Sequence, residues 1–325
     1  MGWPWTIEAS PLPPTRPNGA RWPRISIVTP SFNQGGFIEE TIRSVLLQGY
    51  PDLEYFIIDG GSTDGSIGII KKYEPWLNHW ISEPDRGQSH AINKGWAKAT
   101  GDVIAWLNSD DVLLCDAFRL VSTAITDFDK AVMIAGHSEY RDVSGTKTLW
   151  RAEQVPRTLP EIFGYFSDWY FAQPSVFLTR SALCRAGGPN ENLHYAMDLD
   201  LWLRVAADSR ILVLEKHLSW MRQHENAKTW RDVFKMYDEV ESVLRSHSHL
   251  VASATVKRQL ALAGPRRADA WIRIGFDRMR SGDRSGAVMP AVRAALMHPL
   301  TVTSRRWLSL MLRICNPVNG LAKSR

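Results

Sequence analysis

Asn108, Ser109, Asp110 and Asp111 follow the apolar run "VIAWL" and change its chemistry within one residue. Side-by-side carboxylates repel, and a hard divalent cation with oxygen ligands turns that repulsion into coordination. The same four residues also suit a plain turn, because Asn, Ser and Asp side chains bond their own backbone and start helices. Which reading holds depends on whether other segments deliver matching groups to the same place.

The elements around that turn answer part of the question. "RISIVTP" is a β-branched run stopped by Pro30, and "GFIEETIRSVLLQ" carries Phe37, Ile38, Ile42, Val45 and Leu46 at helical spacing. "LEYFIID" reads as a second strand, "SIGIIKKY" as a helix, "HWIS" as a short third strand, "GQSHAINKGWAKA" as a helix and "DVIAWL" as a fourth strand. Strand and helix alternate, which predicts an α/β fold with a mostly parallel, doubly wound sheet. In such a sheet ligands bind at the carboxyl ends of the strands. "TPSFNQ", "DGGSTDGS" and "NSDD" then gather on one edge as the walls of one pocket.

Those segments, with "SEPDRGQSHAINKGWAKATGDVIAWLNSDD", resemble the family 2 glycosyltransferases of GT-A fold, strongly from Arg24 to Asp111 and more weakly to Thr229. The resemblance implies an inverting transferase that uses a nucleotide-sugar donor, UDP-linked by preference, and Mg²⁺ or Mn²⁺ as cofactor. By motif, Thr29, Pro30 and Ser31 would back the base and ribose. Asp59 would accept a hydrogen bond from the base. Asp85 would partner donor-sugar hydroxyls, with Glu83, Arg86 and Lys94 shaping the far wall. "NSD" stands at the family's DxD position with Asn108 for the first acid. Asp110 is thereby the implied metal ligand, with Asp111 ligating or orienting it and Asn108 or Ser109 at the ribose. In "HYAMDLDLWLRVA" Asp198 falls at the base position, where Met197 replaces a common Glu; without the family context Asp198 is as readily a helix cap. Trp169 and Gln173 would lie near the acceptor. In "MRQHENAKT", His224 would be a metal ligand or a phosphate donor, Arg222 would supply charge, and Lys228 or Thr229 would close over the diphosphate.

The 325 residues allow a domain of ordinary size plus an appendage. Three stretches are expected: an extended Pro- and Trp-rich lead over 1–23, strapped down through Trp3, Trp5 and Trp22; a catalytic domain over 24–229; and a basic helical region over 230–325. From Val251 onward fourteen Lys or Arg face three Asp, so that segment is +11 and the rest of the +5 chain is −6. Mixed with Trp and Leu, such a segment suits either an anionic membrane surface or a helical hairpin packed within its own protein. "RIGFDRMRSGDRSGAVMPAVRAALMHPL" reads as two short helices about "SGDRSG".

No stretch reaches the roughly 18 apolar residues of a membrane span and no signal pattern opens the chain, so a cytoplasmic protein is expected, at most peripheral at the membrane's inner face. Cys115, Cys184 and Cys315 have no ligand spacing and read as small buried apolar residues. The implied partners are the donor and a glycan or lipid-linked acceptor of cell-surface polysaccharide assembly; no nucleic-acid motif is present. Two alternatives stand beside this reading. One is an inactive sugar-nucleotide or glycan-binding module, suggested by Met197 and Asn108. The other is a sugar nucleotidyltransferase, disfavoured because "TPSFNQGG" lacks the basic residues of its loop.

Overall fold

The computed structural model describes residues 9–17, 19–125, 130–224 and 228–315, in two compact units that meet in sequence at Arg231 and Asp232. The first unit opens with β1 (Ile25–Ser31), α1 (Ile38–Leu46), β2 (Leu53–Asp59), α2 (Ser66–Tyr73), β3 (His79–Ser82), α3 (Gln88–Trp96) and β4 (Val103–Trp106). These are the alternating elements expected from the sequence. The four strands lie in the order β3-β2-β1-β4, all parallel. Every residue of β1 is buried and all but the first of β2, which is why both are continuous apolar runs instead of alternating ones. Register matters for the site: Ser31 stands opposite Asp59 and Asp59 opposite Ser82, so three strand ends form one row. α3 lies close on β1, where a Cβ at Gly95 would sit 2.5 Å from a Val28 methyl.

The chain continues through β5 (Val112–Leu113), α4 (Ala117–Ala124), β6 (Val132–Arg141), β7 (Thr148–Ala152), α5 (Leu159–Ile162), β8 (Val176–Thr179), α6 (Arg180–Ala186), α7 (Met197–Asp208), β9 (Arg210–Arg222) and α8 (Lys228–Arg231). Past β4 the sheet changes sense: β8 is antiparallel to β4 and β6, β9 runs parallel to β6, and β5 and β7 add antiparallel pairs. The parallel half carries the nucleotide-type loops, and the antiparallel half closes the cleft from the other side. One hydrophobic core spans both, from Ile25, Ile38 and Ile57 to Phe118, Ile134 and Phe177.

Trp22 is buried, sits edge-on to Tyr50 and donates its indole N–H to the Pro13 carbonyl at 2.7 Å. Arg16 donates to the carbonyls of Ser122 and Ile125, each at 2.7 Å. Trp3 and Trp5 lie outside the described residues. The cysteine expectation is corrected: Cys115, Cys184 and Cys315 are all exposed. Cys184 and Cys315 lie within helices whose buried positions are Ala182 and Leu310, and Cys115 lies just before α4, so each thiol is on a side turned outward.

The second unit is helical: α9 (Val233–Ser246), α10 (Ser253–Arg280), α11 (Val288–Met297) and α12 (Arg305–Cys315). The expected two short helices about "SGDRSG" are one long helix and one short. α10 runs 28 residues with Pro265 inside it. The missing proline N–H removes one helical hydrogen bond, and the helix persists because Ala268 and Ile272 pack against Ala291, Ala294 and Leu310. Among the described residues no helix is long and apolar enough to cross a membrane.

Candidate active site

A cleft of about 660 Å³ opens at the carboxyl edge of the parallel strands. Pro30, Ser31, Asp85, Asn108, Ser109, Asp110, Asp111, Gln173 and Asp198 all line it, with Arg222 and Lys228. Residues 30 to 228 are thus brought to one concavity by strand ends that are remote in sequence. The turn reading of "NSDD" and the functional one are compatible, since the turn forms a wall of this cleft.

The acidic turn is held from both sides. His224 Nε2 lies 3.0 Å from Asp110 Oδ2, and the His224 ring packs 5.0 Å from Phe37. Asn108 donates to Asp111 Oδ2 at 3.1 Å and accepts from Gln88 Nε2 at 2.7 Å. Both ends of the Asn108 amide are therefore engaged by neighbours, so it orders Asp111 and Gln88. Asp111 is buried; loss of hydration, and next the adjacent Asp110 charge, push its carboxyl well above the usual carboxylate range against the pull of Asn108 and Arg222. Two adjacent acids, one of them buried, offer the oxygen ligands that a hard divalent cation takes. Asp110 and Asp111 would be the residues to hold the metal that the sequence implied, with His224 at 3.0 Å from Asp110; the ligand atoms of the three do not gather within 4.8 Å of one another.

Arg222 is almost wholly buried. Its guanidinium meets the Glu40 carboxylate and the Val143 carbonyl, donates to the Asp110 carbonyl at 3.3 Å, and lies 4.8 Å and 4.6 Å over the rings of Phe37 and Trp220. Its role here is to clasp α1, the β6–β7 loop and the acidic turn together.

Of the expected residues, Thr29, Asp59, Glu83, Arg86, Lys94, Trp169 and His224 do not line the cleft; His224 stands against Asp110. Thr29 is fully buried, its hydroxyl 3.0 Å from that of Tyr55. Asp59, also fully buried, accepts from the Gly61 and Ser62 amides at 3.1 and 2.8 Å and from the Ser62 and Ser82 hydroxyls at 2.5 and 2.6 Å. It thereby folds the Gly60–Ser62 turn behind the pocket wall. Lys94 pairs with Glu83, and Arg86 with Glu191 at 2.6 Å. Trp169 packs on Gly164. The Thr229 side chain lies outside the described residues.

Asp85 does face the cleft. Its Oδ1 accepts from the Gly87 amide at 2.7 Å, and a Cβ on Gly60 would stand 2.9 Å from its other oxygen. The glycine is there because the carboxylate passes so near the backbone. Asp198 also lines the cleft, at the second position of α7 behind an N-cap at Ala196, and its Oδ1 accepts from the Leu199 amide at 2.7 Å. Asp200 instead pairs with Arg204 at 2.7 Å and is buried.

Two buried acceptors at the cleft, Ser31 Oγ and Gln173 Oε1, have no hydrogen-bond partner among the described residues. Unpartnered buried polar atoms are costly, and a polar ligand is what would satisfy them there. Sequence reasoning gave no role to Phe32, Gln88, Tyr140, His194 or Tyr195, which also line the cleft. Phe32 carried a usable signal, a large aromatic inside a polar loop; it is 60% exposed.

A parallel half-sheet with an acidic turn at its edge, continued by an antiparallel half that closes a cleft, defines the GT-A class of fold. Residues 26–185 match the family model of glycosyl transferase family 2 and form a domain of that family. The chain is 40% identical over 90 residues to the uncharacterized glycosyltransferase Rv1514c of Mycobacterium tuberculosis, 27% of this chain and 34% of that one. It is 39% identical over 92 residues to the putative teichuronic acid biosynthesis glycosyltransferase TuaG of Bacillus subtilis, 27% of this chain and 36% of that one. The matches thus span about a third of the length of these curated relatives. Among solved structures, TarS of S. aureus in complex with UDP-GlcNAc superposes with a TM-score of 0.57 at 15% identity, over 85% of this chain and 92% of that one. The mannosyltransferase PcManGT of Pyrobaculum calidifontis, in complex with GDP-Man and Mn²⁺, gives 0.57 at 17%, over 94% and 88%.

Proposed function

We propose that the chain transfers a sugar, with inversion, from a nucleoside-diphosphate donor to an acceptor hydroxyl. The observation that carries this reading is that Asp198, Asp110 and Asp111 line one cleft, with His224 3.0 Å from Asp110. The donor's base and ribose would rest on Pro30 and Ser31, with Phe32 offering a stacking face, and Asp85 would receive sugar hydroxyls. Asp198 would take the acceptor's proton as that oxygen forms its bond to the anomeric carbon. As that bond forms, the anomeric bond to the diphosphate breaks, and its electron pair leaves on the phosphate oxygen. A bound Mg²⁺ or Mn²⁺ supplies charge neutralisation for the departing diphosphate. Lys228 lines the cleft and stacks its ammonium 5.0 Å over the Tyr195 ring, within reach of the same negative charge. Gln173 on the rim would meet the acceptor.

UDP is the favoured base, supported by the complexes of TarS with UDP and UDP-GlcNAc; the GDP-Man complex of PcManGT keeps GDP as the competitor to test. Resemblance to TuaG supports a cell-surface polysaccharide as product. In the second unit Leu296, Leu300 and Leu312 are about 70% exposed or more beside Arg305, Arg306 and Arg313, although Leu310 of α12 is buried. That combination supports peripheral contact with an anionic membrane that presents a lipid-linked acceptor.

Calorimetric titration with UDP, GDP and dTDP, with and without Mn²⁺, tests the donor assignment. One nucleotide should bind in a metal-dependent manner and lose that dependence in Asp110→Ala. Absence of nucleotide binding under every condition would remove the transferase reading. Gly60→Ala probes the sugar end separately: its methyl would displace Asp85, a crowding cost of about 1–3 kcal/mol. Affinity for the nucleotide sugar should fall while that for the bare nucleoside diphosphate holds. Equal losses for both would place the damage in the turn and not in sugar contacts.

A further inference from the structure

We propose that His137, His217 and Glu153 form a second metal site, of zinc type, distinct from the cleft and independent of the transferase reading. None of the three lines the cleft. They form one rung across three adjacent strands. His217 of β9 stands opposite His137 of β6, and Ala152 of β7 stands opposite Ser138, so Glu153, the next residue, falls opposite His137. Residues opposite one another on neighbouring strands share a face. Their ligand atoms all lie within 4.8 Å of one another.

The strand pairing is adapted to make this rung. Gly136 is opposite Leu214, so an unbroken register would bring Glu215 to His137; instead β9 bulges over Glu215 and Lys216 and His217 takes that position. A bulge of this kind re-aims side chains. Glu215 turns to Arg157, whose guanidinium holds its carboxyl below the usual carboxylate range.

The two imidazoles are left with unmet acceptor or donor capacity. Nε2 of His137 and Nε2 of His217 are buried atoms with no hydrogen-bond partner among the described residues. Carboxylates are within ion-pair distance, Glu215 at 3.2 Å from His137 and Glu153 at 3.4 Å from His217, but neither has hydrogen-bonding direction. The rings meet edge to face at 5.4 Å and 75°, so stacking does not account for the pairing. Two imidazole nitrogens and one carboxylate oxygen are a donor set for Zn²⁺ or its spectroscopic stand-in Co²⁺, with a fourth position open to water; Mg²⁺ and Ca²⁺ prefer oxygen alone. A metal there would join β7, β6 and β9, the last two of which carry Tyr140 and Arg222 to the cleft wall.

The test uses the full chain, stripped with chelator, in wild-type form and as Asp110→Ala so that the cleft acids do not contribute. Zinc calorimetry and Co²⁺ absorption are the readouts. The expected result is one equivalent of zinc bound by the Asp110→Ala protein, tetrahedral cobalt bands, and a higher Tm with zinc than without. Glu153 is 54% exposed, so Glu153→Gln should fold normally, and it should weaken zinc by at least about tenfold. His137→Ala with His217→Ala should abolish binding. Absence of zinc binding in Asp110→Ala, or unchanged affinity in folded Glu153→Gln, would overturn the site.

Discussion

Asp198→Asn should reduce sugar transfer by about 10²–10⁴-fold, the usual contribution of a positioned general base, while nucleotide affinity stays near that of the parent. The amide keeps the carboxylate's size and an acceptor for the Leu199 amide, so α7 keeps its first turn. It cannot accept the acceptor's proton. The measurement is nucleoside-diphosphate release from the donor in the presence of acceptor, set beside a nucleotide titration of the same preparation. Transfer at the parent rate would remove Asp198 as the base. Parallel loss of binding would instead make it a determinant of the pocket's shape. Asp200→Asn is the paired control: its carboxylate pairs with Arg204 at 2.7 Å, so it should lower Tm and leave nucleotide binding and transfer by the folded protein unchanged.

Asp111→Asn should make the metal-free protein more stable at neutral pH and, at the same time, unresponsive to metal. Burial and the Asp110 charge hold the Asp111 carboxyl well above its ordinary range, so the folded chain keeps a proton that the unfolded chain releases near pH 3.9. Stability of the metal-free protein therefore falls as pH rises from that value through the raised native one, and remains reduced above it. The amide removes this titration. The gain should be of the size of a buried polar group's desolvation, about 1–3 kcal/mol, or roughly 2–4 °C in Tm per kcal/mol for a unit of this size. With metal at a hundredfold over its Kd the parent gains about 2.7 kcal/mol, and the variant should gain far less. Thermal unfolding from pH 4 to 8, in chelator and in Mn²⁺, reads both effects. Identical pH profiles for the two proteins would show that Asp111 ionises freely in the fold and is not a strained ligand.

The parallel half of the sheet was legible because its strands are buried on both faces and end in polar loops: "RISIVTP", "LEYFIID" and "VIAWL" carry both signals. The antiparallel half was not. β6 mixes Val132–Ala135 with His137, Glu139 and Arg141, and the cleft face of Tyr140 depends on pairing with strands some 80 residues later. Sequence also cannot tell whether a polar side chain faces a ligand or a neighbour. Asn108 and Arg222 stand in the cleft wall with their polar atoms engaged by Gln88, Asp111, Glu40 and backbone carbonyls, whereas Ser31 and Gln173 keep an atom unpartnered. The cysteines were misjudged for a related reason: hydropathy ranks a residue type, and exposure is decided by which helix face the position occupies.

The Arg222 clasp bears on how the protein comes into being. It joins residues 182 apart in sequence, and His224 meets Asp110 across 114. Contacts of such separation form late, after the local strand–helix units have condensed. On the ribosome, where the chain emerges N-terminus first, the acidic turn leaves the exit tunnel with more than a hundred residues still to follow. A nascent chain interrupted before β9 would lack both the Arg222 clasp on Glu40 and the His224 contact to Asp110, so the acidic turn would stand without the two groups that hold it.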